Sequence, residues 1–229
     1  MDVEDDEMMA LIFKRKHAPI HDKETYFLVI TAFTVSATVT FLLPLSLCVT
    51  GQCTLYKNQY SISAVIQAFP YATIYCLIGA IFLFSQLYIQ LRHIKKGIKF
   101  ICAVFGAICL TVPLMLPLDS GINDIYHEIF AVAGFTFYSL LTFCIMFDIF
   151  TQEVLPQGYE IICCCSLGML TALILYGVGT MTSVDGTSFY TVYEITAEYF
   201  VGTSIAVLTA TLEVFPIYPM KSYFDLEFD

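Results

Sequence analysis

Apolar runs long enough to cross a bilayer alternate along this chain with short polar joints. They extend from about Tyr26 to Leu47, Ala64 to Leu91, Ile98 to Leu116, Ile129 to Ile149, Ile161 to Thr182 and Thr196 to Phe215. A spanning helix needs about 20 mainly apolar residues, and a barrel strand only about half of that, so all six runs predict helices. Pro113 and Pro117 near the end of the third run, and Pro216 and Pro219 after the sixth, predict kinks or stops there. The expected fold is an all-α polytopic membrane protein with six transmembrane helices. Residues 1–25 form a tail, 26–217 the transmembrane domain and 218–229 a second tail.

Composition agrees with this pattern: 58% of the 229 residues are hydrophobic and only 13% charged, too few to cover the surface of a soluble fold. No internal repeat and no linker tract divides the chain. The first tail carries an acidic run, Asp2 to Glu7, and then Lys14-Arg15-Lys16. It lacks the apolar core and cleavage site of a signal peptide, so it is expected to be retained. Seven of the twenty acidic residues lie in this tail, so the net charge of -10 reads as a solvated tether more readily than as an acidic partner surface.

Lysine and arginine in the joints set orientation. Of the ten, four precede the first run, Arg92, Lys95, Lys96 and Lys99 follow the second, Lys221 follows the sixth, and Lys57 alone lies on the other side. Both termini are therefore expected to be cytoplasmic. Loops 48–63, 117–128 and 183–195 are expected to be lumenal or extracellular. Cys48 and Cys53 then share an oxidising compartment, where they form either a short-loop disulfide or two free thiols. Cys163-Cys164-Cys165 sits near the cytoplasmic end of the fifth run, as acylated cysteines or as small apolar helix residues. Gly168 with Ala172, and Ala103 with Ala107, have the spacing of close helix contacts.

Missing residues exclude several chemistries. His127-Glu128 opens like a zinc-protease helix, but Ala131 stands where the second histidine ligand would be. His17 and His21 are in the tail and His93 in the basic joint, which argues against a haem held by two histidines. There is no mid-span lysine for retinal, no phosphate loop, no potassium filter and no His-x4-Asp acyltransferase pair, since Val132 holds the aspartate position. No cofactor and no nucleic acid is expected.

The polar groups that remain gather at one membrane level. Runs two, four and six all start at the same face, so Ser61 and Ser63, His127 and Glu128, and Glu194 and Glu198 share it. If the sixth helix begins near Thr191, Glu194 and Glu198 lie on one face at i and i+4, where mutual repulsion favours protonation or a cationic partner. His127 can act there as general acid or base toward a lipid ester or hydroxyl. The alternative is a helix start with Asp124 as cap, Glu128 favourable to the helix dipole and His127 solvated. Glu194 reads as a solvated interfacial carboxylate and Glu198, one turn deeper, does not. A proton or ion pathway is the weaker expectation, because these groups stop in one leaflet.

Three segments carry a family resemblance: Tyr60-Ser61-Ile62-Ser63-Ala64-Val65-Ile66 with Pro70 and Tyr71, Ile125-Tyr126-His127-Glu128-Ile129-Phe130, and Tyr190 to Tyr199 with Tyr193, Glu194 and Glu198. In order and topological place they resemble the Frag/DRAM/Sfk family, most closely its branch that remodels the lipid of glycosylphosphatidylinositol (GPI) anchors. The likeness covers roughly residues 26–215, with Phe69-Pro70-Tyr71 where the family has Pro-Gln, and with no tryptophan. It implies a Golgi or related endomembrane protein that reacylates lyso-GPI with a saturated chain, or assists that acyltransferase step. His127 and Glu198 would be catalytic, and Ser61, Ser63, Glu128, Tyr193 and Glu194 would bind the GPI or another membrane lipid. The non-catalytic alternative, from the DRAM/Sfk side, influences lipid distribution or autophagy.

Overall fold

A computed structural model describes residues 23–49, 72–94, 97–115, 121–151, 155, 158–182 and 192–214. Six helices occupy them: α1 (Lys23–Val49), α2 (Ala72–His93), α3 (Ile98–Met115), α4 (Gly121–Phe150), α5 (Tyr159–Thr182) and α6 (Val192–Val214). Four are long and apolar enough to cross a membrane, over Ile98–Met115, Ile125–Phe150, Tyr159–Gly179 and Tyr193–Val214. All regular structure among the described residues is thus helical, and the four long apolar helices mark a multi-pass integral membrane protein. α1 contributes the apolar stretch Phe27–Val39.

Packing follows chain order and then closes: α2 lies on α3, α3 on α4, α4 on α5, α5 on α6, and α6 returns to α2, while α1 packs on α2 and touches α6. Large apolar side chains face both ways. Tyr138, Leu141, Ile149, Met169 and Leu208 are wholly buried inside, while Phe105, Phe143, Leu167, Leu170 and Ile174 are exposed on the outside. A helix apolar all round is stable only where its outer face meets lipid or more protein. Hydrocarbon offers backbone and hydroxyl groups no partner, so they must be satisfied within the helix. Thr34, Ser85, Thr111, Thr136, Thr209 and Thr211 do this by donating to the carbonyl four residues back.

Two glycines open helices from a backbone conformation that side chains resist. Gly97, with φ 129°, accepts from the Ile101 amide at the start of α3; Gly158, with φ 80°, accepts from Ile161 and Ile162 at the start of α5. Ala103, Ala107 and Ala172 are buried at helix contacts, as their spacing predicted. The tightest approach is at Gly134 of α4. A Cβ there would lie 2.5 Å from Leu110 Cδ2 and 3.3 Å from the Leu110 backbone nitrogen of α3. Gly134→Ala should therefore push α3 off α4 and destabilise the fold by about 1–3 kcal/mol. A lowered Tm in detergent checks it; an unchanged Tm would mean that Leu110 moves aside freely.

Several boundaries differ from the sequence reading. α4 starts at Gly121, eight residues before the predicted Ile129, so Asp124 is inside the helix and does not cap it. α3, by contrast, ends two residues past Pro113, at the place where the prolines were expected to kink or stop it. The Pro113 ring offers no N–H to the Cys109 carbonyl and crowds it, so the helix does not run far beyond. His93 and Lys99 belong to helices as well, the last residue of α2 and the second of α3, although both were read as part of the joint.

Candidate functional site

The end of the bundle where α2, α4 and α6 begin is here called the near end. α3 finishes there, and its last carbonyls have no helical amide to accept from. Pro117, four residues after Pro113, has no N–H at all. His127 of α4 hydrogen-bonds the Pro113 carbonyl, and the Cys76 thiol of α2 donates to the Leu114 carbonyl. Two side chains from neighbouring helices thus finish α3. His127 is only 2% exposed, which sets aside the solvated histidine of the alternative reading. An imidazole that donates one N–H to a carbonyl carries its lone pair on the other nitrogen, the form a general base needs.

Behind His127 lies a cavity of about 100 Å³, walled by α2, α3, α4 and α6. Its walls are apolar, with Phe82, Leu83, Leu110, Phe135 and Ile205 among them, and its two titratable side chains are His127 and Glu198. These residues are 71 positions apart in the chain, and the fold places them on one cavity. α6 begins at Val192, so Glu194 and Glu198 do share a face one turn apart. Their burial differs from the expectation for Glu194. It is 5% exposed, not solvated, while Glu198 is half-buried at the cavity.

Tyr176 of α5 was not singled out from sequence and belongs to the same end. It is 2% exposed, stands edge-on to Phe135 with ring centroids 5.2 Å apart, and lies within electrostatic reach of Glu198, Glu128 and Glu194. A phenol inside an apolar run was the available signal, since a buried tyrosine hydroxyl needs a polar partner. Glu128 and Tyr193 are exposed and do not line the cavity. Ser61, Ser63 and Cys53 lie outside the described residues, and Cys48 is in the last turn of α1 with its side chain outside the description. Their substrate-binding and disulfide assignments therefore stand as expectations. Among the described residues no group of His, Cys, Asp or Glu is arranged to hold a metal ion.

A second set of polar contacts fills the other half of the interior. Gln86 of α2 donates to the Tyr138 hydroxyl of α4, and Gln90 donates to Thr209 of α6 at 3.0 Å. At the end of α2, His93 Nε2 lies 2.8 Å and Arg92 Nη1 3.4 Å from the Glu213 carboxylate of α6. Lys99 of α3 pairs with Asp148 of α4, which is wholly buried. The polar groups therefore do not stop in one leaflet, as the sequence reading held. What that reading missed is a spacing: Gln86, Gln90 and His93 fall at i, i+4 and i+7, one stripe on an otherwise apolar helix. Asp148 and Glu213 near the ends of apolar runs were the matching signals on α4 and α6. Comparison with protein-family models, with characterised proteins and with solved structures finds no match to this chain.

Proposed function

We propose that this protein crosses an endomembrane, such as that of the Golgi, six times with both termini cytoplasmic. It would serve fatty-acid remodelling of GPI anchors by reacylating lyso-GPI, or assisting that step, at the lumenal leaflet. The observation that carries the reading is the union of His127 and Glu198 on one apolar cavity at the near end of the bundle. A site for an amphiphile needs a few polar groups at the rim of an apolar space, at the depth where an ester sits. On the enzyme reading the lyso-lipid hydroxyl attacks the carbonyl of an acyl donor while His127 takes the hydroxyl proton. The same proton then goes to the donor's leaving group, and the new ester leaves His127 unchanged. Glu198 orients the imidazole or holds the lipid head.

The bond from His127 to the Pro113 carbonyl favours a second reading. There His127 only finishes α3, and the cavity binds lipid without chemistry, as the DRAM/Sfk resemblance would have it. Lipid analysis of GPI-anchored proteins from cells lacking this chain tests the function itself. Loss of the saturated chain, with accumulation or shedding of lyso forms, is the expected result; an unchanged lipid profile would overturn it. Orientation has its own test. A glycosylation site placed in residues 54–60 should be modified and one in residues 151–158 should not; the reverse pattern would turn the site toward the cytoplasm.

A further inference from the structure

In the far half of the bundle α2 and α6 are clasped side by side. Gln90 donates to Thr209, and Arg92 and His93 meet Glu213, in pairs separated by 119, 121 and 120 positions. The two helices therefore run in register, and the same offset carried toward the near end matches Gly79 with Glu198, Phe82 with Val201 and Leu83 with Gly202. All of these residues line the cavity. The clasp between α2 and α6 thus becomes a gap in the near half, with α3 and α4 as its back wall.

Size says that this gap must widen for a lipid. An apolar cavity of roughly 150 Å³ holds one benzene, so about 100 Å³ has room for about four carbons, a small part of one acyl chain. The back wall is pinned, since Cys76 of α2 and His127 of α4 both bond the last carbonyls of α3. On the far side of α6, a Cβ on Gly168 of α5 would lie 2.6 Å from Ser204 Oγ, so those two helices are in close contact. The front is held differently. α1 packs on α2 and touches α6, which lays it across the outside of the seam between them. Phe33 of α1 stacks on Phe82 of the cavity wall, with ring centroids 5.7 Å apart and 21° between the planes, and Ile30 and Ala37 pack on the same core. The Thr34, Ser36 and Thr38 hydroxyls donate within α1 itself. Lipid tails are as apolar as these contacts, so α1 exchanges them for lipid at little cost. Parting the clasped half of the seam would instead strand amides and charges in hydrocarbon.

We propose that the cavity is filled from the side, by a lipid already in the bilayer and bound through one acyl chain. α1 swings off the near half of the α2–α6 seam, and the chain enters between the two helices toward Phe135 and Ile205, with its ester left at the level of Glu198 and His127. The far-half clasp is the fixed end about which the seam opens. The Phe33–Phe82 stack is the latch that returns α1 when the cavity empties. This rests on the lipid reading of the cavity and holds with or without acyl transfer.

The full chain, reconstituted into phosphatidylcholine vesicles that contain a phosphatidylcholine with a diazirine on one acyl chain, tests it. Irradiation, digestion and mass spectrometry locate the adducts. Those on Leu170, exposed on the outer face of α5, report ordinary contact with surrounding lipid and serve as the reference. Those on Val201 and Ile205, 3% and 1% exposed, report a chain inside the cavity. Both sets are expected in the wild type. The ratio of inner to outer adducts should rise about two- to tenfold in Phe33→Ala, the population shift that loss of one aromatic pair supplies. It should rise in the same direction in Phe33→Leu, which removes the ring stack and keeps apolar bulk. Ala131→Leu, which fills the cavity from α4, should remove the inner adducts and spare Leu170. No inner adduct in any of the proteins would overturn the proposal and the lipid reading with it. Inner adducts at an unchanged ratio in both Phe33 variants would overturn the side entry and leave the lipid reading standing.

Discussion

His127→Ala should remove lipid remodelling, with a loss of about 10²–10⁴-fold if the histidine is the general base. Glu198→Gln should do the same, because the amide keeps the size of the side chain and removes its charge. The two variants differ in what else they change. Glu198 lies half-buried on the cavity wall, so its amide should leave folding near wild type. His127 also bonds the Pro113 carbonyl, and Ala leaves that acceptor buried without its donor. Destabilisation of about 1–3 kcal/mol is expected from that loss alone. His127→Gln separates the two roles, since its amide can donate to Pro113 but cannot take a proton at neutral pH. Lipid profiles of GPI-anchored proteins in cells rescued with each variant give the readout, alongside Tm of the purified protein. Inactive His127→Gln protein of normal Tm supports the chemical role. Full activity of His127→Ala and Glu198→Gln would sink the catalytic reading and leave the structural one.

How far the sequence carried this site depends on which physical signal each residue sends. Apolar runs report helices reliably, because hydrocarbon demands about 20 consecutive apolar residues and the helical backbone satisfies itself. The starts of α3 at Ile98 and of α5 near Ile161 were accordingly legible. α4 was misjudged at its start because the polar Asn123, Asp124, His127 and Glu128 look like loop when hydropathy alone is weighed. His127 and Glu198 could be brought together from topology, since α4 and α6 begin at the same end. Burial of Glu194 could not, because which side of a helix faces the bundle is set by packing against neighbours that no single segment reveals. The inner stripe Gln86, Gln90 and His93 was legible in spacing and was passed over, because glutamine carries no charge to draw attention to it. A wholly apolar neighbourhood makes it conspicuous only once Tyr138 and Thr209 are seen to face it.

Lys99→Met or Asp148→Asn, each made alone, should destabilise the protein by about 3–5 kcal/mol, the largest change in stability expected from single substitutions here. Asp148 is 0% exposed and the Lys99 side chain 9%, so either partner left alone would hold its charge away from water. Counted from sequence with the basic cluster that was expected to set orientation, Lys99 would be solvated and its loss nearly neutral. Burial reverses that expectation. The pair ties α3 to α4 at the end opposite His127, so that the two helices are joined at both ends, by Lys99–Asp148 at one and by His127–Pro113 at the other. A buried ion pair, however, gains little over well-packed apolar residues, because desolvation of both charges offsets their attraction. Lys99→Met combined with Asp148→Leu should therefore recover most of the lost stability. The buried thiols of Cys102, Cys109, Cys144 and Cys165 supply the measurement, since they become reactive toward a fluorogenic maleimide as the bundle opens on heating. Both single variants should react at clearly lower temperature than wild type, and the double variant near it. Additive losses in the double variant would show that Lys99 and Asp148 act separately, the one as a topogenic charge and the other through contacts of its own.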